Sequence, residues 1–360
     1  MQTLAANRSS IRIVLVLTAV IVALSLVISL TDTGSLGSFG ITILSGLFQG
    51  MLLFLVASGL SIIFGLMDIL NFAQGTFFML GAYVAYTVHH APEVIQVIPD
   101  PNLRFLLALI SATVVGGVLG AILERGLLRP LYSRPLFQLV LTFGVAIVML
   151  EGIKFIWTTT PRAWTELFSF REATFNLFGQ PFNTYRLFVI VVGFLLIIGI
   201  ALLLQRTRIG IIIRAGVEDS EMVEALGINV RLVFTLVFTL GCAVAAFGGG
   251  VIAPFTGATI GLGNQFLLLA IAAVALGGMG SYGGTAVGSL LMGLSVAFFT
   301  QLVNASFINT SFIAPLVSTF GEGARAAVTP ILRTLPSITP MLLMIVILLV
   351  RPRGLFGKED

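Results

Sequence analysis

The apolar residues of this chain come in continuous blocks of about 20, the length at which a helix rising 1.5 Å per residue crosses a hydrocarbon core of about 30 Å. That pattern excludes most folds. Inside lipid the backbone must satisfy its own hydrogen bonds, so only helices and closed barrels can span. Barrel strands alternate over about ten residues, and these blocks do not alternate. Ten blocks are legible, at roughly 11–30, 41–65, 73–90, 104–124, 136–158, 186–205, 231–255, 264–280, 285–303 and 338–350. The expectation is an all-α integral membrane protein, a single transmembrane domain over 1–360 with about ten transmembrane segments, some of them re-entrant or broken. Composition agrees: 58% of the 360 residues are hydrophobic and 9% charged, against roughly 25% charged in a soluble domain. Too few charges remain to coat a soluble surface. The first block follows Arg8 and Arg12 and lacks a small-x-small cleavage site, so it reads as a retained span rather than a signal peptide.

The net charge is +4, but the basic residues sit at block ends. Membrane topology explains them better than nucleic acid does. The 124–135 connector holds Arg125, Arg129 and Arg134 against Glu124; the 205–231 connector holds Arg206, Arg208, Arg214 and Arg231; the tail holds Arg351, Arg353 and Lys358. With ten spans all three fall on one side, which places both termini in the cytoplasm. The opposite connectors carry little net charge. Two of them are long, 160–185 and 304–337. The second contains Glu322, Arg325, Arg333, Pro315, Pro330 and Pro336 and reads as an extended periplasmic segment.

Three interruptions carry the functional information. The first, Gly65 to Gly75, sets Asp68, Asn71 and Gln74 between two apolar blocks at i, i+3 and i+6. On a helix these share a face, and polar groups in a membrane face protein, cavity or water. A broken helix lining a substrate path is one reading. A short turn in which Asp68 or Asn71 caps the next helix is the other. The second is the run Gly277-Gly278-Met279-Gly280-Ser281-Tyr282-Gly283-Gly284, which either joins the path or packs two helices closely through glycine. The third is the charged connector, expected to be a cytoplasmic loop over 206–230. It contains Arg214, Glu218, Asp219, Glu221, Glu224, Ala225 and Gly227. Asp219 or Ser220 can start a helix of about eight residues that Gly227 ends at C′. So short a helix is marginal alone in water. It docks either on its own membrane domain or on a cytoplasmic partner.

Enzyme chemistry finds no footing. His89 and His90 are adjacent, without metal-ligand spacing, and Cys242 is the only cysteine. No phosphate loop, G-x-S-x-G or H-E-x-x-H motif occurs. Glu151 and Lys154 pair at i, i+3. Few ionisable groups lie where an ion-coupled transporter would place them, which favours an energy source outside this chain.

The stretch Gly59 to Gly75 through Met79-Leu-Gly81-Ala-Tyr83 resembles the branched-chain amino acid ABC transporter permeases. So do Arg206-Thr-Arg208-Ile-Gly, Arg214-Ala, Glu218-Asp219, Ala225-Leu-Gly227-Ile-Asn229, the glycine run at 277–284 and the terminal Arg351-Pro-Arg353-Gly354-Leu355-Phe356-Gly357. The resemblance implies a multi-pass subunit of the bacterial inner membrane. It would work with a second permease subunit, two cytoplasmic ATP-binding subunits and a periplasmic solute-binding protein. ATP and Mg would bind the partner ATPases, with no cofactor or metal in this chain. It further implies that 214–228 is the coupling helix and that Asp68, Asn71, Gln74, Gly75, Gly277, Gly278 and Gly280 belong to the transport path. Related permeases move urea and short amides as well as amino acids. A stand-alone secondary transporter or channel is the remaining alternative.

Overall fold

The computed structural model describes residues 2–32, 34–132, 134–164, 173–177, 179–218, 220–306, 308, 310, 315, 318, 319 and 322–357. Each of the ten apolar blocks becomes a helix. In chain order they are α1 (Gln2–Asp32), α2 (Leu36–Met67), α3 (Gln74–His90), the short α4 (Pro92–Val97), α5 (Pro101–Leu123) and α6 (Pro135–Trp157). A β-hairpin follows, β1 (Thr174–Leu177) and β2 (Gln180–Asn183), paired antiparallel with Thr174 opposite Asn183. Then come α7 (Thr184–Arg206), α8 (Arg208–Glu218), α9 (Ser220–Ala225), α10 (Val230–Thr256), α11 (Leu262–Gly277), α12 (Tyr282–Asn304) and α13 (Glu322–Val350). Eight of these are long and apolar enough to cross a membrane: α1, α2, α5 with its extension, α6, α7, α10, α12 and α13. The protein is an all-α membrane protein.

Burial sorts the helices into two layers. In α2, 78% of the most apolar stretch is buried, against 61% in α10 and 56% in α12. The corresponding share is 17% in α1, 11% in α6 and 17% in α13. The first group is the core; the second presents apolar side chains outward. Between helices in lipid there is little hydrophobic driving force, so close backbone packing through small residues must hold the core together. The α2–α12 seam shows this. Gly46 and Gly50, four residues apart on α2, face Gly293 on α12, and a Cβ at Gly50 would stand 2.9 Å from the Leu290 Cα. Gly116 and Gly120 of α5 lie against Ala246 and Cys242 of α10 in the same way.

Both long connectors take on structure. Residues 322–337, read as part of an extended outer segment, are the first half of α13, which continues through Pro330, Pro336 and Pro340 to Val350. Of the other long connector, 174–183 forms the hairpin, and Arg162 pairs with Ala258 in both directions at 2.9 Å. Most of 307–321 and all of 165–172 lie outside the described residues.

Candidate functional site

The polar break begins where α2 ends. Asp68 takes the left-handed conformation (φ 54°, ψ 28°) and its N–H donates to the Phe64 carbonyl. A residue there stops the helix, and Asp tolerates the conformation better than most. Asp68 is exposed. Asn71 and Gln74 are fully buried. The three therefore do not share a helix face, contrary to the i, i+3, i+6 reading, because residues 68–71 are not helical. Asn71 instead makes a local turn: its Oδ1 accepts from the Ala73 N–H at 3.1 Å. Its Nδ2 donates to Gln74 Oε1 at 3.2 Å, and Gln74 Nε2 donates to the Gly241 carbonyl of α10 at 3.0 Å. Asn71 Nδ2 also reaches Cys242 Sγ at 3.9 Å. Thr142 of α6 receives the Phe72 N–H at 3.3 Å from the other side.

The break lies inside the helix layer. Gly241 is eleven residues beyond Val230, or about 16 Å along α10 at 1.5 Å per residue. So α3, 17 residues long, starts in the interior. The 16-residue α11 meets it there: a Cβ at Gly263 would stand 2.9 Å from the Gly75 carbonyl oxygen. Two short helices thus start side by side at a buried glycine contact, the geometry of discontinuous membrane helices.

The glycine run lies beside the same break. A Cβ at Gly65 would stand 3.2 Å from the Gly280 carbonyl oxygen, so the structure brings together segments more than 200 residues apart. Above this contact Thr285 donates to Ser61 at 2.9 Å in the buried α2–α12 seam. Gly278 has φ +102°, which lets the chain turn sharply from α11 toward α12. The last carbonyls of α11 have no helical partner. The tail supplies two donors: Leu355 N donates to Leu276 O and Phe356 N to Gly277 O, both at 2.9 Å. Gly277 and Gly278 are buried under that tail, while Gly280 is exposed.

The connector forms two helices where one was expected. On α8, Ile213 is buried in a cluster with Ile62, Ile200, Val233 and Val237 beneath α2, α7 and α10. The packing of Ile212 and Ile213 fixes α8 on the membrane domain; the isoleucine spacing at 209–213 was the available sequence signal. On α9, among the described side chains, only Val223 is buried; Met222 is 64% exposed, and Leu226, just past the helix, 73%. Gly227 (φ +81°) ends α9, with Ile228 N donating to Val223 O and Gly227 N to Glu224 O, the C′ place expected of it. Arg214, Glu224, Ala225 and Gly227 are exposed. Asp219 and the side chains of Glu218 and Glu221 lie outside the described residues. The hairpin and the connector flank opposite ends of the 23-residue α7, so the connector lies at one end of the helix layer.

The Asn71–Gln74 pair makes a direct prediction. Gln74→Leu removes the donor to Gly241 O and the acceptor of the buried Asn71 Nδ2, and a buried donor left unmade costs about 1–3 kcal/mol. The expected result is a lower melting temperature of the purified protein, and fast labelling of the buried Cys242 by a maleimide that the parent resists. A parent-like melt and a slow-labelling Cys242 would show that the pair does not lock α3 to α10.

A family model described as branched-chain amino acid transport system / permease component matches residues 42–350. The high-affinity branched-chain amino acid transport system permease protein BraD of Pseudomonas aeruginosa is 28% identical over 330 residues, covering 88% of this chain and 95% of that protein. The corresponding permease protein LivH of Escherichia coli is 26% identical over 326 residues, covering 88% and 94%. A probable LivH permease of Methanocaldococcus jannaschii is 27% identical over 316 residues, covering 86% and 89%. No solved structure matches the chain.

Proposed function

Because the chain belongs to the branched-chain amino acid transport permease family, we propose that it is the membrane subunit of an ATP-driven importer carrying branched-chain or similar amino acids into the cytoplasm. ATP is hydrolysed by separate subunits, since this sequence has no phosphate loop. The observation that carries this reading is the connector. It is the charge-rich stretch of an otherwise apolar chain, anchored by Ile213, with Met222 and Leu226 exposed one turn apart among charges. An apolar pair on a short helix with a charged surround is the form of a helix-in-groove ligand, and the partner in this reading is the ATPase. In sequence, Glu218, Asp219, Glu221 and Glu224 give this connector acidic charge and Arg214 basic charge.

In the same reading the path runs past the helix break, from the exposed Asp68 and Gly280 toward the buried start of α3 beside α11. Asn71, Gln74, Gly75, Gly277 and Gly278 hold that wall in place from behind. A second permease subunit covers the outward apolar helices, and a solute-binding protein delivers substrate at the hairpin end.

The test is uptake by vesicles. The chain is reconstituted with its partner permease and ATPases, and the cognate binding protein is added with labelled leucine. The expected result is ATP-dependent accumulation that excess isoleucine and valine suppress and urea or acetamide do not. Suppression by the amides instead would reassign the substrate. Accumulation driven by an ion gradient in vesicles holding this chain alone would overturn the importer reading.

A further inference from the structure

In the structure the basic turn between α5 and α6 carries a connected side-chain network. Residues Glu124–Leu128 form one π-helical turn at the end of α5, and single π turns recur at functional sites. Glu124 is fully buried. Its Oε1 accepts the Tyr132 hydroxyl and stands 3.5 Å from Arg129 Nε. Arg129 Nη2 donates onward to Thr235 Oγ1 at 2.9 Å and to the Arg231 carbonyl at 3.4 Å. Tyr132 packs edge-on against Phe234 with ring centroids 5.5 Å apart. Burial first, then the Glu124 hydrogen bond and charge, raise the Tyr132 phenol against the opposing Arg129 charge. The hydroxyl therefore stays protonated and donates.

Two features separate this network from ordinary packing. Glu124 Oε2 is buried with no hydrogen-bond partner among the described residues, a cost that a fully satisfied core does not carry. And Arg231, Phe234 and Thr235 are the first turns of α10, where the connector rejoins the membrane domain through the Asn229 cap, whose Oδ1 accepts from Leu232 N at 3.1 Å. Displacement of α9 reaches these residues after a link of only 226–229.

We propose that Glu124 is a positioning residue of the transport cycle: through Arg129 and Tyr132 it latches the first turns of α10 to the α5–α6 turn, so that movement of the connector shifts both together. This inference rests on the importer reading above. Without the latch, α10 and the α5–α6 turn move separately, and connector motion is dissipated before it reaches the helix break at Gly241.

The test compares Glu124→Gln and Tyr132→Phe in the assembled complex. Both keep side-chain shape. The readout is amino acid moved per ATP hydrolysed, with the amount of assembled complex measured in parallel. The expected result is full assembly and retained ATP hydrolysis with a fall of about tenfold in transport per ATP, within the range for residues that couple sites without touching either ligand. Partial recovery is expected in Glu124→Asp. An unchanged ratio, or a loss of uptake that only follows the loss of complex, overturns the latch. A second measurement needs no transport. Spin labels at the exposed Arg125 and Leu232 should report one narrow spacing in the parent and a broad one in Glu124→Gln; identical distributions overturn the proposal. If the parent complex moves no amino acid, the importer reading fails, and the spacing measurement still decides whether Glu124 fixes the two segments.

Discussion

Gly293→Leu is expected to lower the melting temperature and the yield of folded protein sharply. Gly293 of α12 sits where α2 comes closest, and a Cβ there would overlap the Gly50 N and Cα and the Gly46 carbonyl oxygen. All three are backbone atoms. A side chain can rotate away from an intruding group; a helix backbone cannot, so the two helices must separate. That opens the most extensive seam of the core, including the buried Thr285–Ser61 hydrogen bond. Overpacking a well-packed site typically costs about 1–3 kcal/mol, occasionally more, and backbone contact puts this site at the upper end. Whole domains are stable by only about 5–15 kcal/mol. The measurement is the yield of monodisperse protein in detergent and its melting temperature. Gly152→Leu on α6 is the matched control, because nothing lies within 4 Å of a Cβ there. A Gly293→Leu protein that melts with the control would show that the seam is not closed as described.

The second large effect is expected at α9. Met222→Asp combined with Leu226→Asp should abolish co-purification of the ATPase and ATP-driven uptake, while leaving the chain inserted and its melting temperature unchanged. Both side chains are mostly exposed, so little of the buried core is lost with them. Apolar anchors at the centre of an interface commonly carry 2 kcal/mol or more each, or about 30-fold in affinity per residue. An introduced carboxylate adds the cost of burying a charge. Val97→Asp on α4, 79% exposed in the parent, serves as the control and should change neither readout. Normal ATPase binding by the double variant would mean that α9 is only an interfacial helix of its own domain.

Much of the fold was legible because it is written locally. Blocks of about 20 apolar residues must be helices in lipid, and each of the ten became one. Gly227 marked the end of α9 because a C′ residue needs positive φ, and glycine reaches it at no steric cost. Family membership was legible too, since the residues at 59–83, 206–229 and the tail make a combined pattern. Proline misled at 330 and 336: in a soluble chain it would end a helix, but within a membrane bundle the freed backbone groups can be satisfied nearby, and α13 runs through both.

Continuous apolar blocks determined by themselves that this chain is a helical membrane protein. Only the tertiary structure decided what the interruptions in those blocks are. Asn71 and Gln74 turned out to be buried and bonded to each other, with Gln74 also bonded to Gly241, 167 residues away. Asp68 alone of the three stayed exposed. Glu124, a mere topology charge in the sequence, became a buried carboxylate joined through Arg129 to Thr235. The reason is physical. Hydropathy and helix capping act within a few residues and can be read along the chain. The partner of a buried polar group is whichever donor or acceptor the packed helices bring within about 3 Å, and that is set only when the whole bundle closes.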